Sequence, residues 1–153
     1  MSTFTNKVDR KGRVSIPAAF RAELVGESYY GIVIYRMPGA PALEACGIAN
    51  MARVRDGIAR KFDPLSENRE DLDFSLLGET DRLPIDSDGR IVLPADLLEH
   101  AGLAEHAAFV GLGDTFQIWS PTLLVERKRK ARERMLQNGV NLRLVSPPDL
   151  PSG

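Results

Sequence analysis

Only one cysteine, Cys46, occurs in the 153 residues, so no disulfide can form within the chain, and the composition fits a reducing cytoplasm. Histidine is scarce too. His100 and His106 do not form an H-x-x-x-H pair, and Cys46 is distant in sequence, so no metal site is expected. Apolar runs are short: Gly31–Tyr35, among the longest, falls far below the ~20 residues of a membrane helix. Met1–Arg13 is polar and basic, unlike an export signal, so neither membrane nor secretion is expected. G-x-S-x-G and the P-loop are missing, and G-L-G-D after Val110 has no third glycine opening a helix. Without a titratable constellation we expect no catalytic residues, no enzyme activity and no cofactor. A basic excess is also lacking. Lys and Arg number 20 against 21 Asp and Glu, a net charge of −1, which is unusual for a nucleic-acid binder. Aromatics make up 7%, and Tyr29, Tyr30 and Tyr35 alternate with apolar residues, as strand positions rather than a base-stacking platform.

What the chain does have is an internal repeat. V-D-R-K-G-R-V-S-I-P-A-A-F-R (Val8–Arg21) returns without a gap as I-D-S-D-G-R-I-V-L-P-A-D-L-L (Ile85–Leu98), 77 residues on. Asp9, Gly12, Arg13 and Pro17 recur as Asp86, Gly89, Arg90 and Pro94. Two copies are too few for a solenoid, so two related half-domains are expected. Alternating Val8, Val14 and Ile16 around the turn predict a β-hairpin. Asp9 and Asp86 suit the turn because their carboxylates can accept downstream backbone N–H groups. Gly12 and Gly89 stand where positive φ is needed. Alternation places Asp9 and Arg13, and likewise Asp86 and Arg90, on one side, where each couple could pair. Pro17 and Pro94 then open short helices at the first helical position, the first with Phe20 and Leu24 on one face.

Taken in order, Thr3–Asp9 and Ser28–Arg36 read as strands, the latter stopped by Pro38, Gly39 and Pro41. Leu43–Phe62 has helical spacing, interrupted near Gly47, and Glu67–Leu77 resumes helix after Pro64. His106–Leu112 and Thr115–Trp119 form a strand pair around Gly113-Asp114. Ser120-Pro121 starts a last helix that Asn138-Gly139 ends. Within it, Glu126–Arg134 holds six basic and two acidic residues, which reads as a solvated face with a Glu126/Lys130 pair. The expected divisions are unit 1 at 2–47, a helical insertion at 48–78, unit 2 at 79–122, a C-terminal helix at 123–140 and a disordered tail at 141–153.

Function rests on the two turns. Residues 7–13 carry Lys7, Arg10, Lys11 and Arg13 against Asp9, a local +3. Residues 81–90 carry Arg82 and Arg90 against Asp81, Asp86 and Asp88, a local −1. An exposed hairpin can enter the DNA major groove, where arginine pairs with guanine. Arg13 would then meet a base edge while Lys7, Arg10 and Lys11 meet phosphates. The competing reading is an Asp–Arg pair that only pins the turn, and for Arg90, beside Asp88, that reading is at least as good. Two D-x-x-x-R copies could instead bind an anionic ligand, or serve assembly without DNA.

Asp9–Pro17 (D-x-K-G-R-x-x-I-P), Asp86–Pro94 (D-x-x-G-R-x-x-L-P), His100-Ala101-Gly102-Leu103 and Val110–Trp119 (V-G-x-G-x-x-F-x-I-W) together resemble the MraZ family of bacterial transcriptional regulators. These are related to AbrB-type DNA-binding domains, and the resemblance covers residues from about 4 to 124. It implies an α+β, mainly β fold: a double-split β-barrel of two AbrB-like swapped-hairpin units, with short helices and a helical insertion. It also implies a homo-oligomeric ring on double-stranded DNA with repeated elements, upstream of a division and cell-wall gene cluster that can include its own gene. The expected role is repression, in the cytoplasm and associated with the nucleoid.

Overall fold

The computed structural model describes residues 3–61, 70, 71, 74 and 78–139. These divide into two units, one through Pro121 and one from Thr122 onward. In the first, β1 (Thr3–Lys7), β2 (Arg13–Ser15), α1 (Ala18–Ala22), β3 (Gly31–Arg36) and β4 (Ala42–Cys46) form one repeat. Helix α2 (Ile48–Lys61) follows. The second repeat comprises β5 (Asp81–Pro84), β6 (Arg90–Val92), α3 (Ala95–Ala101), β7 (His106–Gly111) and β8 (Phe116–Trp119). Helix α4 (Pro121–Gln137) belongs almost wholly to the second unit.

The fold is α+β and its sheets are antiparallel. Six strands lie in the order β1-β7-β8-β4-β3-β5, and β2 and β6 form a separate two-stranded ribbon. Exchanging the repeats (β1 for β5, β3 for β7, β4 for β8) reverses this order and otherwise preserves it. Each repeat's first strand pairs with the third strand of the other: β1 with β7, and β5 with β3. The closed barrel is not formed among the described residues. β1 and β5 end the six-stranded sheet, and the strands that could bridge them, β2 and β6, pair only with each other.

The local hairpin expected between β1 and β2 is likewise replaced. The chain does reverse at Asp9–Arg13, but Val8 N–H donates to the Glu105 carbonyl and β1 continues along β7. Asn6 Nδ2 donates to the Ser15 carbonyl at 2.7 Å, so a side chain supplies a hairpin-like bond to the departing strand. The helix expected from Leu43 is strand β4 up to Cys46, and helix begins only after Gly47. β4 lies between β8 and β3 and is buried on both faces, so its apolar run does not alternate. The junction turns at Gly47, where a Cβ would collide with the Glu27 carboxylate; that carboxylate accepts the Ala49 N–H at 2.8 Å at the start of α2. Pro17 and Pro94 sit one residue ahead of their helices, as caps with extended ψ of 138° and 154°. The expected helix at Glu67–Leu77 lies largely outside the described residues, of which 70, 71 and 74 are helical. The tail 141–153 lies wholly outside them.

One core joins both repeats. It includes Val14, Ile16, Ile32, Ile34 and Leu43 from the first, and Ile91, Leu93, Leu97, Phe109 and Ile118 from the second. Phe20 fixes α1 to this core: its ring lies 5.1 Å from Phe116 and 6.5 Å from Phe109, centroid to centroid. Truncating a buried phenylalanine costs about 3–5 kcal/mol. We therefore expect Phe20→Ala to lower unfolding stability in urea by about that amount. A loss below about 1 kcal/mol would show that α1 does not depend on this ring.

Candidate nucleic-acid interface

Both Asp–Gly turns have the same construction. Asp9 N–H donates to the Arg13 carbonyl, and Gly12 N–H donates to the Asp9 carbonyl, each at 3.0 Å. Asp9 Oδ1 accepts the Lys11 and Arg13 N–H groups at 2.9 Å, and Oδ2 accepts Arg13 Nε at 2.6 Å. In the second turn, Asp86 Oδ1 accepts the N–H groups of Asp88 and Arg90 at 2.9 Å. Gly12 and Gly89 have φ of 82° and 79°, as turns of this shape require.

The turns do not stand apart. Ile16 N–H donates to the Gly89 carbonyl and Leu93 N–H to the Gly12 carbonyl, both at 2.9 Å. A Cβ on Gly12 would lie 2.6 Å from the Leu93 carbonyl oxygen. Between them β2 and β6 pair with Arg13 opposite Val92, Val14 opposite Ile91 and Ser15 opposite Arg90. Val14 and Ile91 face the core at 1% exposure. Alternation turns Arg13, Ser15, Arg90 and Val92 outward onto one face. There the two arginines stand diagonally, with a backbone separation of roughly 7–8 Å. This convergence is what the sequence reading missed; the 77-residue offset matches Ser15 to Val92 but does not show that their strands pair.

The arginines differ in what holds them. Arg13 is bound through Nε, and no hydrogen bond from its terminal nitrogens to an acid is found among the described residues. Arg90 Nη2 donates to Asp88 at 3.1 Å, while its Nε, 3.4 Å from Asp86, is buried without a hydrogen bond among the described residues, so Arg90 stands between two carboxylates. Both remain partly exposed, 38% for Arg13 and 33% for Arg90. Lys7, at the end of β1, and Arg10 and Lys11, on the first turn, are exposed. That makes one end of the ribbon basic and the other acidic in its own sequence.

The backbone N–H of Arg13 leads in lowering the Asp9 carboxyl below its ordinary 3.8; burial opposes it, and the Arg13 side chain and the Lys11 N–H add to the lowering. The N–H of Arg90 leads the same lowering at Asp86. A carboxylate favoured in the folded state contributes stability fully above its unfolded value and loses it as pH falls through the lowered folded one. We expect the gap in melting temperature between the native chain and an Asp9→Ala, Asp86→Ala variant to be constant from pH 7 to about 5. It should then shrink in acid below 3.8, the ordinary value for both groups. A gap that widened in acid would reverse the assignment.

Among the described residues, other groups gather no comparable site. Cys46 is buried, and burial, with Glu44 and Glu27 nearby, pushes its thiol up to about 12. No cluster of three or more His, Cys, Asp or Glu side chains fit for a metal ion occurs among the described residues. A cavity of about 30 Å³ beside Phe20, Cys46 and Asn50 carries Glu23 and Asp114 on its wall and no Lys or Arg. No helix among the described residues is long and apolar enough to cross a membrane. In the second unit, α4 pairs Arg129 with Glu126 at 2.6 Å and with Glu133, rather than Glu126 with Lys130.

The molecule is thus a two-repeat α+β protein that displays a two-stranded ribbon between paired Asp–Gly turns. A family model described as "MraZ protein, putative antitoxin-like" matches residues 76–137. A protein from Rickettsia canadensis (strain McKiel), named transcriptional regulator MraZ, is 38% identical over 143 residues, covering 94% of this chain and 95% of its own length. Its namesake in Rickettsia bellii (strain OSU 85-389) is 39% identical, covering 86% of this chain and 89% of its own. The one in Rickettsia rickettsii (strain Sheila Smith) is 41% identical over 79% and 80%. The chain belongs to the MraZ family.

Proposed function

We propose that this protein is a transcriptional regulator that binds double-stranded DNA through the outer face of the β2–β6 ribbon. The observation that carries this reading is Arg13: it points outward, is fixed at Nε by Asp9, and gives no hydrogen bond from its terminal nitrogens to an acid among the described residues. A major groove admits a two-stranded ribbon, and a pre-oriented guanidinium can pair bidentately with guanine. Lys7, Arg10 and Lys11 then contact phosphates and set register. We read the exchange of first strands between repeats as two AbrB-like swapped units. Because the chain is close to neutral, affinity comes from several ribbons acting together. A homo-oligomeric ring on repeated elements raises avidity by roughly 10²–10⁴ without new contacts. We further propose that it represses, at a division and cell-wall gene cluster that includes its own gene, in the cytoplasm and on the nucleoid.

An anionic ligand is less well served, since the cavity by Cys46 is water-sized and acid-lined. The deciding experiment is a mobility shift of the full chain on its own upstream DNA, with excess competitor, across a salt series. Selective binding that weakens with salt supports regulation through DNA. Weak binding indifferent to sequence would return the D-x-x-x-R turns to a structural or anion-binding role.

A further inference from the structure

The repeat hides an exchange of charge. Arg21 ends the first copy where Leu98 ends the second. In the fold each reaches the other copy's turn. A Cβ on Gly12 would lie 3.4 Å from Leu98 Cδ1, whereas a Cβ on Gly89 would collide with the Arg21 guanidinium. The basic first turn is thus covered by leucine, and the acidic second turn by arginine. Arg21 follows Phe20, which anchors α1 in the core. Its Nε is buried without a hydrogen-bond partner. No ion pair between Arg21 and Asp86, Asp88 or any other acid is found among the described residues.

We infer that Arg21 is a DNA-phosphate contact of the second turn, supplied by the first repeat. Residues 86–90 carry Asp86 and Asp88 against Arg90, a charge of −1, and Arg21 brings that end of the ribbon to zero. Charge alone would make the second turn repel the DNA backbone. Arg21 lies on Gly89 with no acid paired to it among the described residues, whereas Arg90 donates to Asp88 and has Asp86 3.4 Å from its Nε, so Arg21 is the cation at this turn left for a passing phosphate. Glycine at 89 has a second role here, because a side chain there would displace Arg21 as well as strain the turn.

This inference rests on the proposed DNA reading, and its test separates the two. The full-length native chain, Arg21→Gln and Arg21→Lys would be titrated with the upstream DNA between 50 and 200 mM salt. Glutamine keeps much of the packing without charge; lysine keeps the charge. Each phosphate contact contributes about 0.9 to the slope of log K against log salt. We expect Arg21→Gln to flatten the slope by about 0.9 for each bound subunit and Arg21→Lys to restore it, with sequence preference and melting temperature retained. An unchanged slope for Arg21→Gln, with the native chain binding normally, would overturn the role of Arg21 alone. Absence of selective binding by the native chain would overturn the DNA reading itself.

Discussion

Replacing Arg13 with alanine is expected to abolish most sequence preference while leaving the fold intact. A bidentate arginine–guanine contact is worth about 1–3 kcal/mol, roughly five- to 150-fold in affinity per engaged ribbon. Asp9 keeps its bonds to the backbone N–H groups at positions 11 and 13 in the variant, so the turn retains its shape. Lys7→Ala gives the contrast. Lys7 is exposed at the end of β1, outside the ribbon, so its loss should weaken all sequences alike and flatten the salt dependence. Competition between cognate and scrambled duplexes reads both effects. Undiminished preference in Arg13→Ala would mean that its guanidinium only pins the turn.

Cutting the chain between the repeats should be as severe for the fold as losing Arg13 is for recognition. Of the six strand pairings among the described residues, four join one repeat to the other: β1–β7, β2–β6, β3–β5 and β4–β8. Residues 1–50 on their own would keep only β3–β4. A lone two-stranded hairpin is marginal at best in water. Val14, Ile16 and Phe20 would lose Ile91, Leu93 and Phe109 from their shared core. We expect residues 1–50 to show no cooperative thermal or urea transition, and to gain one when mixed with residues 51–153. A sharp transition for residues 1–50 alone would show that each half is a self-sufficient unit.

Much of this was legible in the sequence, for identifiable reasons. D-x-x-G-R specifies its turn locally, since an Asp carboxylate and a glycine at positive φ suffice, and both turns formed with the expected Asp–Arg pairs. The strand pair β7–β8 and the limits of α4 likewise follow from alternation and from Ser120-Pro121 and Asn138-Gly139. Pairing between distant strands has no such local code. Val14 faces Ile91 across 77 residues, and nothing in either tripeptide says so. The same gap hid the meeting of Arg13 with Val92 and of Arg21 with Gly89. β4 failed for a different cause: burial on both faces removes the alternation that marks a strand, and A-L-E-A-C then reads as helix.

The most direct measurement is a thiol-tethering assay on the ribbon itself. Cys46 is buried and its thiol is pushed up to about 12, so it stays inert while an introduced cysteine reacts. Ser15→Cys would sit on the outer face of β2, opposite Arg90, and Leu112→Cys on the exposed turn beside Asp114 as a control. Both would be incubated with the upstream duplex carrying disulfide tethers along its major groove. Rapid, salt-sensitive crosslinking of Ser15→Cys, with Leu112→Cys unreactive, is the expected result. Equal crosslinking of the two, or reaction at Leu112→Cys alone while the protein binds its DNA, would place the interface elsewhere.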